Sequence, residues 1–314
     1  SNPLEGCLQF LNLINNWEHK NKKTPLGGLE IDAIAISFSK FEKDNEFNHA
    51  ELINSLSKII KENKNKNINL INFDGTIWNS IGASLNEEIA LMCLCFIEMI
   101  RSNIIDDESL INFTISLDTD FFLNIAKIRS LRIIINNLYG HFGVNPIFKI
   151  NGRTADEIIF KESPWVNQLR ITNAALSAAI ANIDRLTCHH ITNPLGQAPE
   201  FVRRLTRNTH IILQEESNIG KIQDAAGGSY YIESITKSIA DKSFDFIKYV
   251  EKNGGILSLF ENREFINKLS ENKTNKNKML EEKKTKRIGV NLYPDKEIRE
   301  INIKPYEKIK NYDK

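Results

Sequence analysis

The chain has 314 residues, enough to bury a large core in one large or two ordinary domains. Its 41 lysines and arginines balance 40 aspartates and glutamates, and the net charge of +1 gives no overall field to attract nucleic acid or an anionic membrane. Because no apolar run reaches the ~18 residues of a membrane span and no secretion signal begins the sequence, we expect a protein of the cytoplasm or an organelle matrix.

Five short runs rich in β-branched residues predict strands, and longer helical patterns separate them. The predicted strands are residues 31–38, 67–73, 111–117, 146–151 and 184–190. Each run is too short and too apolar for an exposed hairpin, so the alternation indicates a buried parallel sheet built of βαβ units. No glycine-rich phosphate loop follows the first strand, which favours a (β/α) barrel over a dinucleotide-binding fold.

A closed barrel of this type needs eight strands, and residues 1–30 are too few to supply three more. We therefore expect an α/β fold of the (β/α)8 TIM-barrel type that is incomplete, with about five C-terminal strand–helix units. The predicted partial barrel covers residues 1–255. Residues 256–314 are predicted to form a C-terminal helix, a polar linker at SENKTNKNK and an extended tail that packs back on the body.

Local signals predict several helix ends. Asp120 is suited to cap the helix that follows it, and Gly140 stands where a left-handed C-terminal residue is expected. Ser163 is a predicted N-cap, and Pro164 occupies the first helical position, where its missing N–H costs nothing.

The four cysteines, Cys7, Cys93, Cys95 and Cys188, have no spacing typical of a disulfide framework or a zinc site. Cys93 and Cys95 are two residues apart on a predicted helix, so they point to different faces and cannot easily share a metal. We expect buried free thiols in a reducing compartment and no metal site.

Several sequence blocks stand in a fixed order along the chain. They include FDGTIWNSIGAS at residues 73–84, a long helical segment at 118–143, and three blocks within 163–233: PWVNQLR, FVRRLTRNTHIILQEES and DAAGGSYYIE. Together they resemble the barrel domain of the methylmalonyl-CoA mutase family, in the form found in the non-catalytic small (beta) subunit. TPLGGL and KRIGVNLYP are weaker matches to the same subunit.

The resemblance implies adenosylcobalamin chemistry, a radical rearrangement that interconverts methylmalonyl-CoA and succinyl-CoA. Catalytic barrels of the family carry a Tyr-His pair after the fifth strand, where this chain has Thr76 and Ile77. Asn79 stands where many small subunits have a histidine, and residues 191–193 replace the family's Phe-Asp-Glu. The cobalamin loop Asp-x-His-x-x-Gly of the family does not occur, so we expect no cobalamin-binding domain in this chain. We expect no cofactor bound by this chain alone, with adenosylcobalamin implied for the family or a partner.

No catalytic residue is predicted, but the C-terminal rim of the barrel, where barrel enzymes place their active sites, has candidate substrate-binding residues. These are Asn79, Arg153, Thr154, His189 and His190. The Arg153 guanidinium could bind a carboxylate or phosphate in bidentate fashion, or form an interface salt bridge. His189 and His190 are adjacent on a predicted strand and cannot both face inward.

The sequence therefore predicts a non-catalytic, small-subunit-type barrel from an isomerase family, which pairs with a catalytic large subunit as a heterodimer or self-associates. Unpaired strand edges of an incomplete sheet also call for a partner. Two alternatives stay open. The chain could be part of an active split adenosylcobalamin-dependent acyl-CoA mutase, or a degenerate barrel that binds a CoA ester as a regulator. Nucleic acid and membranes are not expected as partners.

Overall fold

The computed structural model describes residues 3–23, 27–32, 34–35, 38, 49–63, 68–294 and 301–306. Within these ranges one sheet has five parallel strands, each hydrogen-bonded to the next strand along the chain. The strands are β1 (Gly27–Ile31), β2 (Ile68–Asp74), β3 (Leu110–Leu117), β4 (Ile147–Thr154) and β5 (Arg185–Thr187). Sequential parallel order with intervening helices is barrel topology, so the predicted incomplete (β/α) barrel is confirmed.

Helices lie between the strands and after the last one. Those with defined bounds in the described ranges are α1 (Pro3–Asn21), α2 (His49–Asn63), α3 (Gly75–Ser80), α4 (Leu85–Arg101), α5 (Phe121–Phe142), α6 (Pro164–Ile180), α7 (Glu200–Ile211), α8 (Tyr230–Lys252), α9 (Gly255–Glu261) and α10 (Arg263–Glu281). A π-helical turn, Ile212–Glu216, continues α7. No helix in this part of the chain is both long and apolar enough to cross a membrane.

The core lies between the sheet and the helices that cover it, above all α4, which is buried along most of its length. Phe73 on β2 packs against Phe113 on β3 and Phe96 on α4, with ring centroids 5.0 and 5.8 Å away. Trp78 is fully buried beside Phe260 of α9. Because fully burying one such side chain contributes about 1.5–3 kcal/mol, these rings hold the sheet, α4 and α9 together.

The strand predicted over residues 31–38 is wrong, because Ile34, Ala35 and Phe38 are helical and β1 ends as this segment begins. The Asp32 carboxylate accepts a hydrogen bond from the Ala35 amide at 2.8 Å, which is the geometry of a helix N-cap. The apolar side chains of this segment fit a helical period as well as a strand, and the cap decides between the two.

The other predicted ends of helices and strands are partly right. Asp120 caps α5 by accepting from the Leu123 amide at 3.0 Å, as expected. The helix runs past Gly140, however, and ends at Gly143, whose φ of 67° provides the left-handed turn. Pro164 occupies the first turn of α6, as predicted. The fifth strand is shorter than the predicted segment 184–190.

The polar run SENKTNKNK, predicted as a linker, is instead helical and lies within α10. Phe265 and Leu269 near the start of α10 are buried, and Lys268 Nζ lies 2.6 Å from Glu87 Oε1 of α4. Docking of the first turns nucleates the helix, and the polar residues that follow propagate it with their side chains exposed. The domain division between residues 255 and 256 stays a prediction.

The segment KRIGVNLYP packs back on the body, as predicted, but it forms turns and is not extended. The amides of Val290, Asn291 and Leu292 donate to the Arg287 carbonyl. The Asn291 side chain donates to the Leu280 carbonyl of α10 at 2.7 Å, which holds the turns against that helix.

Candidate functional site

A cleft of about 220 Å³ lies at the carboxyl ends of β3 and β4, beside α3. Four of the five predicted site residues line it: Asn79, Arg153, Thr154 and His189. Thr76, Ile77, Ser80, Ser116, Ala155, Asp156 and Glu157 complete the lining. Ligand pockets usually measure about 300–1,000 Å³, so the cleft has room for a small anionic group but not for a whole acyl-CoA.

Arg153 extends from the end of β4 to the end of β2. Its Nη1 donates to Asp74 Oδ2 and to Thr76 Oγ1, both at 3.1 Å. Asp74 is also the N-cap of α3, since its Oδ1 accepts from the Thr76 amide at 2.9 Å. The guanidinium thus already has a carboxylate partner within the chain, through one of its nitrogens.

Asp32 is a buried residue behind the site, in contact with Asp74, and the sequence reasoning missed it. It directly follows β1, and its Oδ2 accepts from the Asp74 amide at 2.6 Å, so two carboxylates lie at the ends of neighbouring strands. Burial raises the pKa of Asp32 to about 7, and the negative charge of Asp74 adds to this effect. The signal was available in the sequence, but placing the first strand at 31–38 concealed that Asp32 follows a strand.

A buried ion pair contacts two residues that line the cleft, Asn79 and Ser116. Lys127 of α5 lies with its Nζ 2.6 Å from Glu88 Oε2 of α4, and the side chains are 5% and 0% exposed. Ser116 at the end of β3 donates its amide to Glu88 Oε1 at 2.8 Å, and its hydroxyl and carbonyl oxygens both lie within hydrogen-bond distance of Lys127. Asn79 Nδ2 reaches Glu88 Oε2 at 3.4 Å. This network was not predicted.

His189 and His190 point to different surroundings. The His189 amide donates to Thr154 Oγ1 at 2.7 Å, and its Nε2 lies 3.2 Å from Asp156 Oδ1. Burial lowers the pKa of His189, and nearby Arg153 lowers it further while Asp156 opposes the shift. His190 is outside the cleft lining, with its Nε2 3.2 Å from the Tyr306 hydroxyl. Burial and the neighbouring His189 lower the pKa of His190 as well.

These contacts limit what the cleft can do chemically. Ile77 contributes only an apolar surface, and the Thr76 hydroxyl is hydrogen-bonded to Asp74 Oδ1. The cleft can therefore hold an anionic or hydrogen-bonding group against Arg153. Within the described ranges, no group of three His, Cys, Asp or Glu side chains could hold a metal ion.

Comparison with known proteins places the chain in a family. Residues 43–313 match the family model described as methylmalonyl-CoA mutase. The chain belongs to the methylmalonyl-CoA mutase family. The five parallel strands at its centre are therefore part of a mutase barrel, and the cleft at their carboxyl ends lies at the rim of that barrel.

Among curated relatives, the methylmalonyl-CoA mutase small subunit of Propionibacterium freudenreichii subsp. shermanii is 31% identical over 246 residues, which cover 75% of this chain and 39% of that protein. The probable methylmalonyl-CoA mutase small subunit of Mycobacterium tuberculosis is 27% identical over 245 residues, with coverages of 73% and 39%. The methylmalonyl-CoA mutase of Escherichia coli is 29% identical over 203 residues, with coverages of 62% and 28%. The chain spans about two-fifths of the length of the small subunits it matches.

The raised pKa of Asp32 predicts a specific pH dependence of stability. Between the ordinary pKa of 3.8 and about 7, the folded chain keeps this proton and the unfolded chain has lost it. The stability that the protonated Asp32 contributes is therefore present at low pH and is lost as the pH rises through that window. Asp32→Asn cannot ionise. We therefore compare the free energies of unfolding of the variant and of wild type by urea denaturation. The difference, variant minus wild type, should rise by at least about 1 kcal/mol from about pH 4 to about pH 7.

The matched control is Asp245→Asn, which changes an exposed carboxylate on α8. Its stability profile should run parallel to wild type across the same pH range. Parallel profiles for Asp32→Asn as well would show that the Asp32 carboxylate titrates normally in the folded chain.

Proposed function

We propose that this chain is a non-catalytic, small-subunit-type barrel segment that pairs with a catalytic mutase large subunit, which interconverts methylmalonyl-CoA and succinyl-CoA. The most direct support is the pair Thr76 and Ile77 at the rim cleft, where catalytic barrels of the family have Tyr-His. An isoleucine side chain has no proton to donate to a thioester carbonyl. The names of the curated small-subunit relatives point the same way.

The rim residues that remain are suited to bracing the half-barrel. Arg153 connects the end of β4 with Asp74 at the end of β2. The pair of Glu88 and Lys127 fixes Ser116 at the end of β3. We infer that these contacts keep the strand ends in place for a partner, and that they perform no chemistry on a substrate.

The family implies adenosylcobalamin, which supplies the radical that starts the carbon-skeleton rearrangement when it is bound. The rim histidines do not fit the role of a cobalt ligand, because His189 Nε2 lies against Asp156 and His190 Nε2 against Tyr306. We therefore assign the cofactor to the partner chain and no cofactor-binding role to the described residues.

We also propose that the chain acts in the cytoplasm or an organelle matrix. Cys93 and Cys95 are buried free thiols, and Cys188 is a partly buried one. Burial raises the pKa of Cys188 to about 12, which keeps its thiol protonated and unreactive. Unpaired cysteines of this kind are typical of reducing compartments.

The pairing is tested by co-producing the chain with the mutase large subunit of its source organism and measuring the mass and subunit composition by light scattering and native mass spectrometry. We expect a stable heterodimer. A stable monomer in the presence of the large subunit would contradict the proposal, and a homo-oligomer that excludes the large subunit would replace it with self-association.

The absence of catalysis is tested in the same complex. With adenosylcobalamin added, Arg153→Ala and His189→Ala should each change the rate of succinyl-CoA formation by less than about twofold, because neither group contacts the reacting atoms. A loss of activity of about a hundredfold or more without loss of assembly would instead support the active split mutase.

One observation favours a second candidate, a regulatory site for a CoA ester. Arg153 is 35% exposed and lines the cleft, and a guanidinium has more N–H donors than the single nitrogen that contacts Asp74 and Thr76. The cleft could thus take the carboxylate or a phosphate of such an ester. Calorimetry with methylmalonyl-CoA and succinyl-CoA tests this, and the absence of heat up to about 1 mM would eliminate it.

A further inference from the structure

Three arginines on helix α7 differ from the other arginines of the molecule. Arg203, Arg204 and Arg207 are exposed, and within the described ranges their side chains make no hydrogen bond and no ion pair. Each of the other described arginines has an interaction: examples are Arg101 with Glu251 and Arg129 with Asp224.

These three residues share one side of α7. Arg203 and Arg204 each lie within one helical turn of Arg207, at spacings of four and three residues, so the three guanidinium groups form one surface, here called the arginine face. Glu200 is the single carboxylate on α7, and it forms no ion pair with them. Arg203 also lines a cleft of about 400 Å³ with Lys304, which adds a further basic residue to this surface.

Apolar side chains lie beside the arginine face. Trp165 of α6 stacks on Phe201 of α7, with ring centroids 5.9 Å apart, and these side chains are 38% and 46% exposed. Leu169, one turn further along α6, is 70% exposed. Aromatic residues and arginines are enriched in protein–protein interfaces and in their energetic hot spots. Nucleic acid is a less suitable ligand for this surface, because it binds to larger clusters of cations and the net charge of the chain is only +1.

The position of the arginine face in the fold also favours a protein partner. α6 precedes β5 and α7 follows it, and β5 is the last strand in the described sheet order. A sheet that continues beyond β5 would bring its next covering helix against α7. A polypeptide in this place would meet α7, the helix that carries the arginine face.

We propose that the arginine face, with Trp165, Leu169 and Phe201, docks an acidic polypeptide surface of the catalytic partner chain. Guanidinium groups pair with carboxylates in bidentate geometry, and three of them with no partner among the described residues complement a cluster of aspartates and glutamates. The inference rests on the proposed pairing with a mutase large subunit and names the surface that performs it.

The test compares two triple charge reversals in the full chain. R203E/R204E/R207E inverts the arginine face, and K273E/K276E/K278E makes the same change of charge at exposed positions of α10. Affinity for the purified large subunit is measured at low and at raised salt concentration. Thermal unfolding and R203Q/R204Q/R207Q, which removes charge without reversing it, control for misfolding.

We expect the arginine reversal to weaken binding at least about tenfold, the glutamine variant to weaken it by a smaller factor, and the lysine reversal to change it less than about twofold. Raised salt should weaken wild type but not the arginine reversal. If wild type binds and both reversals bind equally well, the inference is wrong while the proposed pairing stands. If wild type does not bind the large subunit, both are wrong. Arginine-dependent binding of an oligonucleotide, with partner affinity unchanged, would also overturn the inference.

Discussion

Replacing Lys127 with methionine is expected to lower the free energy of unfolding by about 3–5 kcal/mol. Lys127 Nζ lies 2.6 Å from Glu88 Oε2, and the Glu88 side chain has no exposed surface. The variant keeps the volume of the lysine stem but leaves the Glu88 carboxylate buried without its cation. The cost therefore arises mainly from an uncompensated charge, and urea denaturation at neutral pH measures it.

Two further variants separate this effect from simple loss of packing. E88Q/K127M removes both charges, and most of the lost stability should return, because a neutral amide in place of Glu88 can still accept from the Ser116 amide. Lys237→Met breaks an ion pair that is exposed on α8 and should leave the unfolding midpoint unchanged. A loss below about 1 kcal/mol for Lys127→Met would mean that water reaches and solvates Glu88.

The same network explains why the rim and the core are coupled. Glu88 contacts Asn79 and Ser116, which line the cleft, while the rest of α4 is packed in the core. A change at Lys127 should therefore alter the cleft without touching its lining residues directly. The rim of this half-barrel is thus connected to the buried core through the pair of Glu88 and Lys127.

Sequence reasoning predicted the parallel order because each central strand is short and buried on both faces. β3 is the best case, since every residue after Leu110 is buried. Sequence reasoning failed where a local pattern fitted two kinds of secondary structure. Residues 31–38 suit a strand or a helix, and the Asp32 cap decides. The run 270–278 is polar enough for a linker, but docking of Leu269 and its neighbours makes it helical.

The sequence predicted those residues of the candidate site that can be found from their position at the carboxyl ends of strands. Arg153, Thr154 and His189 follow strand ends in the sequence, and the structure brings them to one cleft. Their partners were not predictable in the same way. Lys127 and Glu88 are distant in sequence, and nothing local to either residue shows that the other neutralises it. Long-range pairing of this kind follows from how the helices pack, which the sequence pattern does not contain.

Replacing Gly82 with alanine is expected to lower the free energy of unfolding by about 3 kcal/mol and to detach α10 locally. Gly82 has a φ of 110°, which L-residues rarely adopt, and an added Cβ would overlap the carbonyl oxygen of Leu269. The backbone of α10 would have to move away from the turn between α3 and α4. Urea denaturation measures the loss, and hydrogen exchange of the α10 amides locates it.

The matched control is Gly143→Ala, since Gly143 also has a positive φ, 67°, but an added Cβ there would meet no atom within 4 Å. It should cost about 1 kcal/mol, from backbone strain alone, and leave exchange in α10 unchanged. The difference between the two variants then reports the overlap with Leu269 together with the greater backbone strain at the φ of Gly82. Equal losses for both would mean that α10 does not rest on this turn.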